Sequence, residues 1–177
     1  MHEDCKEIMF THDQIVERCK EIGKQISEEY KGKKVLLIGL LKGSVPFFAE
    51  LSQHIDLDVE FDFMSVSSYE GTESTGNVLV KKDIDVDIKG KDILIIEDIL
   101  DTGKTLYTVR AMLLEKGAAS VEIAALLNKQ ERREYPIQAK YVGFEIPNAF
   151  VIGYGMDYDE KYRNLPYVGV LKEEVYS

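Results

Sequence analysis

Residues 93–106 read ILIIEDILDTGKTL. The apolar run at 93–96 has the length and composition of a buried strand. It stops on two carboxylates, Glu97 and Asp98. A short loop carrying Asp101, Thr102, Gly103, Lys104 and Thr105 follows, and from Leu106 the pattern turns helical. Strand, polar turn and helix start make half of a βαβ unit, and ligands bind at the carboxyl ends of such strands. The expected class is therefore α/β.

The turn has the chemistry of a phosphate site. Gly103 lets the backbone come close to a ligand. Thr102 and Thr105 offer hydroxyl donors, and the free amides of a starting helix favour an anion. A Walker-type loop is excluded, because it needs a Gly five residues before the Gly-Lys-Thr and Asp98 stands there. Two carboxylates beside the cradle would repel a triphosphate but suit sugar hydroxyls or Mg²⁺. The turn is expected to hold a sugar phosphate, with the phosphate on 102–105 and the ribose diol toward Glu97 and Asp98.

The length of 177 residues suggests one domain, 1–177, with a sizeable core. No apolar run is long enough to span a bilayer, and the acidic start lacks the pattern of a signal peptide. Cys5 and Cys19 form no metal or redox motif, which fits reduced thiols and a cytoplasmic protein. A net charge of −10 opposes non-specific nucleic-acid binding. An anionic substrate must then be held by local donors, because the overall field repels it.

Residues 1–10 read as a loosely held lead-in. Thr11 can cap a helix whose apolar stripe is Ile15, Cys19, Ile22 and Ile26. A buried strand is expected over 35–41, a turn at Lys42-Gly43-Ser44, and a helix to about 55 with Pro46 in its first turn. Strand 60–67 is expected to point Phe61, Phe63 and Val66 inward. Strand 78–82 follows, then a solvated acidic connection over 83–90. A helix from 105 should stop at Gly117. Further strands are expected at 121–127, 141–144, 151–153 and 167–171. By physics alone, Lys42-Gly43 is an ordinary loop, Lys129 a solvated strand end, Phe150 a core aromatic and the 157–163 charges a solvated face.

The 93–106 segment resembles the phosphoribosyl pyrophosphate signature of the type I phosphoribosyltransferases. The rest of the chain, from about residue 8 onward, resembles the bacterial-type hypoxanthine-guanine phosphoribosyltransferase family. That resemblance implies a mostly parallel central sheet flanked by helices, a small hood and a flexible lid loop. It implies pyrophosphate binding by Lys42, Gly43 and Arg163, with a cis peptide between Leu41 and Lys42. Ser68 and Tyr69 would belong to the lid, which excludes water when closed. Lys129 would donate to the purine 6-oxo group. An ammonium has only donors, so it prefers a 6-oxopurine to adenine. Phe150 would stack on the base, Val151 would read its edge through the main chain, and Asp157 would sit at the base site and help hold a metal.

The implied reaction transfers a phosphoribosyl group from phosphoribosyl pyrophosphate to hypoxanthine and/or guanine, releasing pyrophosphate. Asp101 would accept or steer the N7 proton. Glu97, Asp98 and Asp157 would hold Mg²⁺, and the protein would be a homodimer or homotetramer. Departures from the family pattern are small: Asn148 stands where many members carry Asp, and Asn128 is at a variable position. Both adjoin the base site and bear on its fine specificity. Alternatives are a xanthine-preferring transferase and a nucleotide-sensing regulator of the same fold; the acidic charge balance argues against a nucleic-acid partner.

Overall fold

Thr11 accepts a hydrogen bond from the Gln14 amide while the Gln14 side chain accepts from the Thr11 amide, a reciprocal cap that starts α1 (His12–Glu29). The buried stripe of this helix is Ile15, Cys19, Ile22 and Ile26, at the spacing seen in the sequence. The computed structural model describes residues 1–68 and 78–177. Tyr69 lies outside the described residues, and Ser68 is described only as the last residue of its strand.

The main sheet has six strands: β2 (Val35–Leu40), β3 (Val59–Ser68), β4 (Val78–Lys82), β5 (Asp92–Leu100), β6 (Ser120–Asn128) and β7 (Tyr141–Glu145). Their spatial order is β4-β3-β2-β5-β6-β7, parallel except for β4 at the edge. β2 is buried at every position, as a central parallel strand covered on both faces must be. On one face α1 and α2 (Val45–Ser52) pack through Ile22, Ile26, Phe47 and Leu51. On the other, α3 (Lys104–Glu115) packs Leu106, Val109 and Leu113 against Leu36, Ile95 and Ile123. The expected mostly parallel sheet flanked by helices is the architecture found.

Four expectations need correction. The first ten residues are not a loose lead-in. Cys5–Phe10 form β1, which pairs antiparallel with β9 (Val168–Leu171). β9 also pairs β8 (Val151–Ile152), giving a small second sheet of order β1-β9-β8, the hood. Phe61 does not point into the core. It is 52% exposed because its strand lies next to the sheet edge, where Phe48 of α2 meets it edge-on. The connection at 83–90 is not simply solvated. Ile88 is buried, and Ile84 and Val86 pack on the α3 face, while its acidic residues stay outside. Finally, β5 does not stop at Ile96. It stays in register with β6 through Glu97, Ile99 and Leu100, so the acid pair sits on a strand rather than in a loop. A short helix α4 (Glu173–Tyr176), unforeseen, closes the chain.

Candidate active site

The acid pair arises from the way β5 ends. Its central residues are apolar because both faces are covered, and polar residues begin where the helices no longer cover the strand. There the carboxyl end of β5 meets the loop after β2 and the start of α3. Together they line a cleft of about 300 Å³ that includes Lys42, Gly43, Glu97, Asp98, residues 101–105 and Arg163.

Gly103 is the N-cap of α3, at φ 87° and ψ 0°, a left-handed conformation that favours glycine. Its missing side chain is also required by packing, since a Cβ there would stand 2.4 Å from Ile137 Cγ2. The first helical hydrogen bond of this turn runs from the Tyr107 amide to Gly103 O. The amides of the first turn therefore point out of the helix end as donors for an anion. The Thr102 carbonyl is already engaged by the amides of Glu134 and Tyr135, at 3.0 and 3.2 Å.

Across the cleft the Leu41–Lys42 peptide is cis, as the resemblance implied. Lys42 Nζ lies 2.9 Å from Glu160 Oε2, and Arg163 Nη2 lies 3.2 Å from Glu160 Oε1. Arg163 Nη1 also donates to Gly155 O at 2.7 Å and lies 3.2 Å from Asp157 Oδ1. Its Nε is buried and has no partner among the described residues. Glu160 thus joins the two cations that flank the cleft, a role the sequence did not suggest.

Burial pushes the Glu97 carboxyl well above its ordinary range, and the neighbouring Asp98 charge pushes it further. Asp98 is also raised by burial, with Arg163 and the Ile99 amide pulling the other way. Adjacent hard oxygen donors whose charges are held at such cost fit a divalent cation such as Mg²⁺. Asp157 is engaged by Arg163 and by the Glu160 amide at 2.9 Å. Among the described residues no three acidic, histidine or cysteine side chains form one metal cluster.

A second cleft, of about 260 Å³, adjoins the first. It is lined by Ile99, Lys129, Phe150, Val151, Met156 and Asp157, and it shares Asp98, Ile99 and Asp101 with the first cleft. Lys129 follows β6, and its amide donates to Leu100 O at 3.0 Å, so the end of β5 sets its place. The residue is only 8% exposed, and burial lowers the pKa of its ammonium. Among the described residues that ammonium has no hydrogen-bond partner. Phe150, at the start of the hood strand β8, is half exposed and faces this cleft. All the named cleft residues from Lys42 to Arg163 therefore meet at one end of the main sheet, under the hood.

Arginines 132 and 133, in the 3₁₀ turn after Lys129 (Gln130–Arg132) and just beyond it, were not foreseen. Arg132 Nε donates to Asp101 Oδ1 at 2.9 Å. Arg133 donates from Nε to Asp101 O at 3.1 Å, from Nη1 to Ile137 O at 2.7 Å, and from Nη2 to Asn128 Oδ1. Asn128 in turn donates to both Glu145 oxygens at 2.9 Å. This network locks the ends of β5, β6 and β7 together around the lysine and the acid loop.

The family profile described as a phosphoribosyl transferase domain matches residues 7–159. A hypoxanthine-guanine phosphoribosyltransferase of Streptococcus pneumoniae is 54% identical over 178 aligned positions, covering 100% of this chain and 99% of that protein. A protein of the same name from Streptococcus thermophilus is 53% identical over the same span. A hypoxanthine phosphoribosyltransferase of Staphylococcus aureus, solved by crystallography, superposes with a TM-score of 0.96 at 52% identity, covering 100% of this chain and 97% of that one. With the family profile over 7–159 and this full-length likeness, the chain belongs to the phosphoribosyl transferase domain family.

Proposed function

We propose that this protein is a hypoxanthine-guanine phosphoribosyltransferase of purine salvage, joining a 6-oxopurine to phosphoribosyl pyrophosphate and releasing pyrophosphate. Residues 1–177 act as a single catalytic domain. The observation that carries the reading is the contiguity of the two clefts. A sugar phosphate seated on the α3 turn has its anomeric carbon near Asp98, Ile99 and Asp101, where the lysine-lined cleft begins.

In this reading the amides and hydroxyls of 102–105 bind the 5′-phosphate, and Glu97 and Asp98 accept the ribose hydroxyls. Lys42, the Gly43 amide and Arg163 take the pyrophosphate, displacing Glu160 from its two cations. Lys129 donates to the purine 6-oxo group, Phe150 stacks on the ring with Ile99 opposite, and the Val151 main chain reads the edge. Asp101 accepts the N7 proton as the ring nitrogen attacks, with Arg132 orienting its carboxylate. Negative charge on Glu97 and Asp98 suits the oxocarbenium-like charge that builds at the anomeric carbon. Glu97, Asp98 and Asp157 would hold Mg²⁺, which when bound would supply positive charge to neutralise the departing pyrophosphate. The buried, unpaired cysteines fit a reducing, cytoplasmic setting. A homodimer or homotetramer is part of the reading, and exposed apolar residues at the β3–β4 edge, Phe61 and Leu79, are consistent with it.

The test is turnover with phosphoribosyl pyrophosphate and Mg²⁺ on hypoxanthine, guanine, xanthine and adenine separately. Pyrophosphate and a nucleoside monophosphate should form with hypoxanthine and/or guanine and not with adenine. Turnover of xanthine alone would move the assignment to the xanthine-preferring alternative, and no turnover of any oxopurine would overturn it.

A further inference from the structure

The proposed purine platform, Phe150, is an edge residue of the hood with little around it. It is 38% exposed, and no core side chain lies stacked beneath it among the described residues. An aromatic platform can bind a base only if its plane is held, and here the hold comes from the end of the chain. Tyr176 of α4 stacks on Phe150, centroid to centroid 4.8 Å with planes 22° apart. Tyr158 meets the same ring at a right angle, 5.4 Å away.

Tyr176 does not line the base cleft, which Phe150 shares with Ile99 and Lys129. It lines a neighbouring cleft with Arg132 and Asn148, and that cleft adjoins the base cleft through Asp101, Lys129 and Phe150. The placement is anchored rather than accidental. The Leu171 amide donates to Phe150 O at 2.8 Å, and the Lys172 amide donates to Asp4 O at 3.0 Å. Asp4 is itself held by the Tyr162 hydroxyl at 2.7 Å. The hood therefore delivers α4 to the Phe150 ring from both of its neighbours.

We propose that Tyr176 is a positioning residue for purine binding, which acts through Phe150 by fixing the plane on which the base stacks. This rests on the base-site reading of Phe150 given above. Tyr176 does not line the cleft at the α3 turn, so its effect should fall on one substrate. An aromatic stack of this kind is worth about three- to tenfold in an equilibrium constant.

The experiment measures KM for hypoxanthine and for phosphoribosyl pyrophosphate, with kcat, in the wild type, Tyr176→Ala and Tyr176→Phe. For Tyr176→Ala the purine KM should rise about three- to tenfold, with kcat and the other KM unchanged. Tyr176→Phe should restore the wild-type value, because the stack needs a ring and not the hydroxyl. A purine KM unchanged in Tyr176→Ala would overturn the proposal, as would equal losses for both substrates or failure of the Phe variant to restore it. A wild type without oxopurine turnover would instead remove the function assignment itself.

Discussion

Gly43 stands directly against the carboxylate of Asp98: a Cβ at position 43 would lie 1.9 Å from Asp98 Oδ2. The turn after β2 and the acid pair on β5 thus share one space, and the absence of a side chain on one is what seats the other. Gly43→Ala must push Asp98 out of place or open the turn. Misplacement by about 1 Å near the chemistry costs about 10²-fold. The expected outcome is a loss of that order in kcat/KM for phosphoribosyl pyrophosphate, checked by steady-state kinetics with the purine saturating.

Glu97 and Asp98 carry the second prediction. Burial holds both carboxyls above their ordinary range, so the folded state keeps protons that the unfolded chain releases. With more protons bound in the native state, stability falls as pH rises from the ordinary carboxylate range through the raised one. Glu97→Gln removes this cost. Its Tm should exceed that of the wild type by a margin that grows as pH rises from the ordinary carboxylate range. Each kcal/mol corresponds to about 2–4 °C for a chain of this size, so calorimetry will resolve it. Mg²⁺ should raise the Tm of the wild type and not that of the double variant Glu97→Gln/Asp98→Asn.

Asp101 is held by Arg132 through one carboxylate oxygen and by Arg133 through its carbonyl. Asp101→Asn keeps an acceptor for Arg132 but cannot take a proton. The expected outcome is a fall in kcat of about 10²–10⁴ with little change in folding, read by turnover and thermal melting. Near-normal kcat would remove Asp101 from the proton-accepting role.

Lys129 is buried with its ammonium aimed at a cleft and without a hydrogen-bond partner among the described residues. Lys129→Ala should weaken oxopurine binding about 10–100-fold, the usual worth of a hydrogen bond from a charged donor, and leave phosphoribosyl pyrophosphate unaffected. Because burial lowers its pKa, the charge should be lost at a less alkaline pH than for an exposed lysine. Oxopurine affinity measured by titration calorimetry across alkaline pH should decline accordingly in the wild type and stay flat in the Ala variant.

Much of the architecture is legible because its signals are local. The apolar run before Glu97, the Thr-Gly-Lys-Thr turn and the Ile15–Ile26 stripe each record the environment of a few consecutive residues, and the structure has them where they were expected. β1 left no such mark. It is held by a backbone ladder to β9, at the far end of the chain, and ladder bonds do not depend on side-chain type. Phe61 misled for a related reason, since a strand's alternation gives its two faces but not its distance from the sheet edge.

The sequence by itself determined the βα turn between β5 and α3 and the positions of the acid pair and of the lysine after β6, because turn chemistry and strand hydrophobicity are written in contiguous residues. Only the tertiary structure decided what stands around them: Glu160 between Lys42 and Arg163, Arg133 joining Asp101 to Asn128, and Tyr176 behind Phe150. These partners are far apart or irregularly spaced along the chain. Their contacts exist only once parallel strands end at one level and the hood folds back over them, and no periodicity in the sequence encodes that meeting.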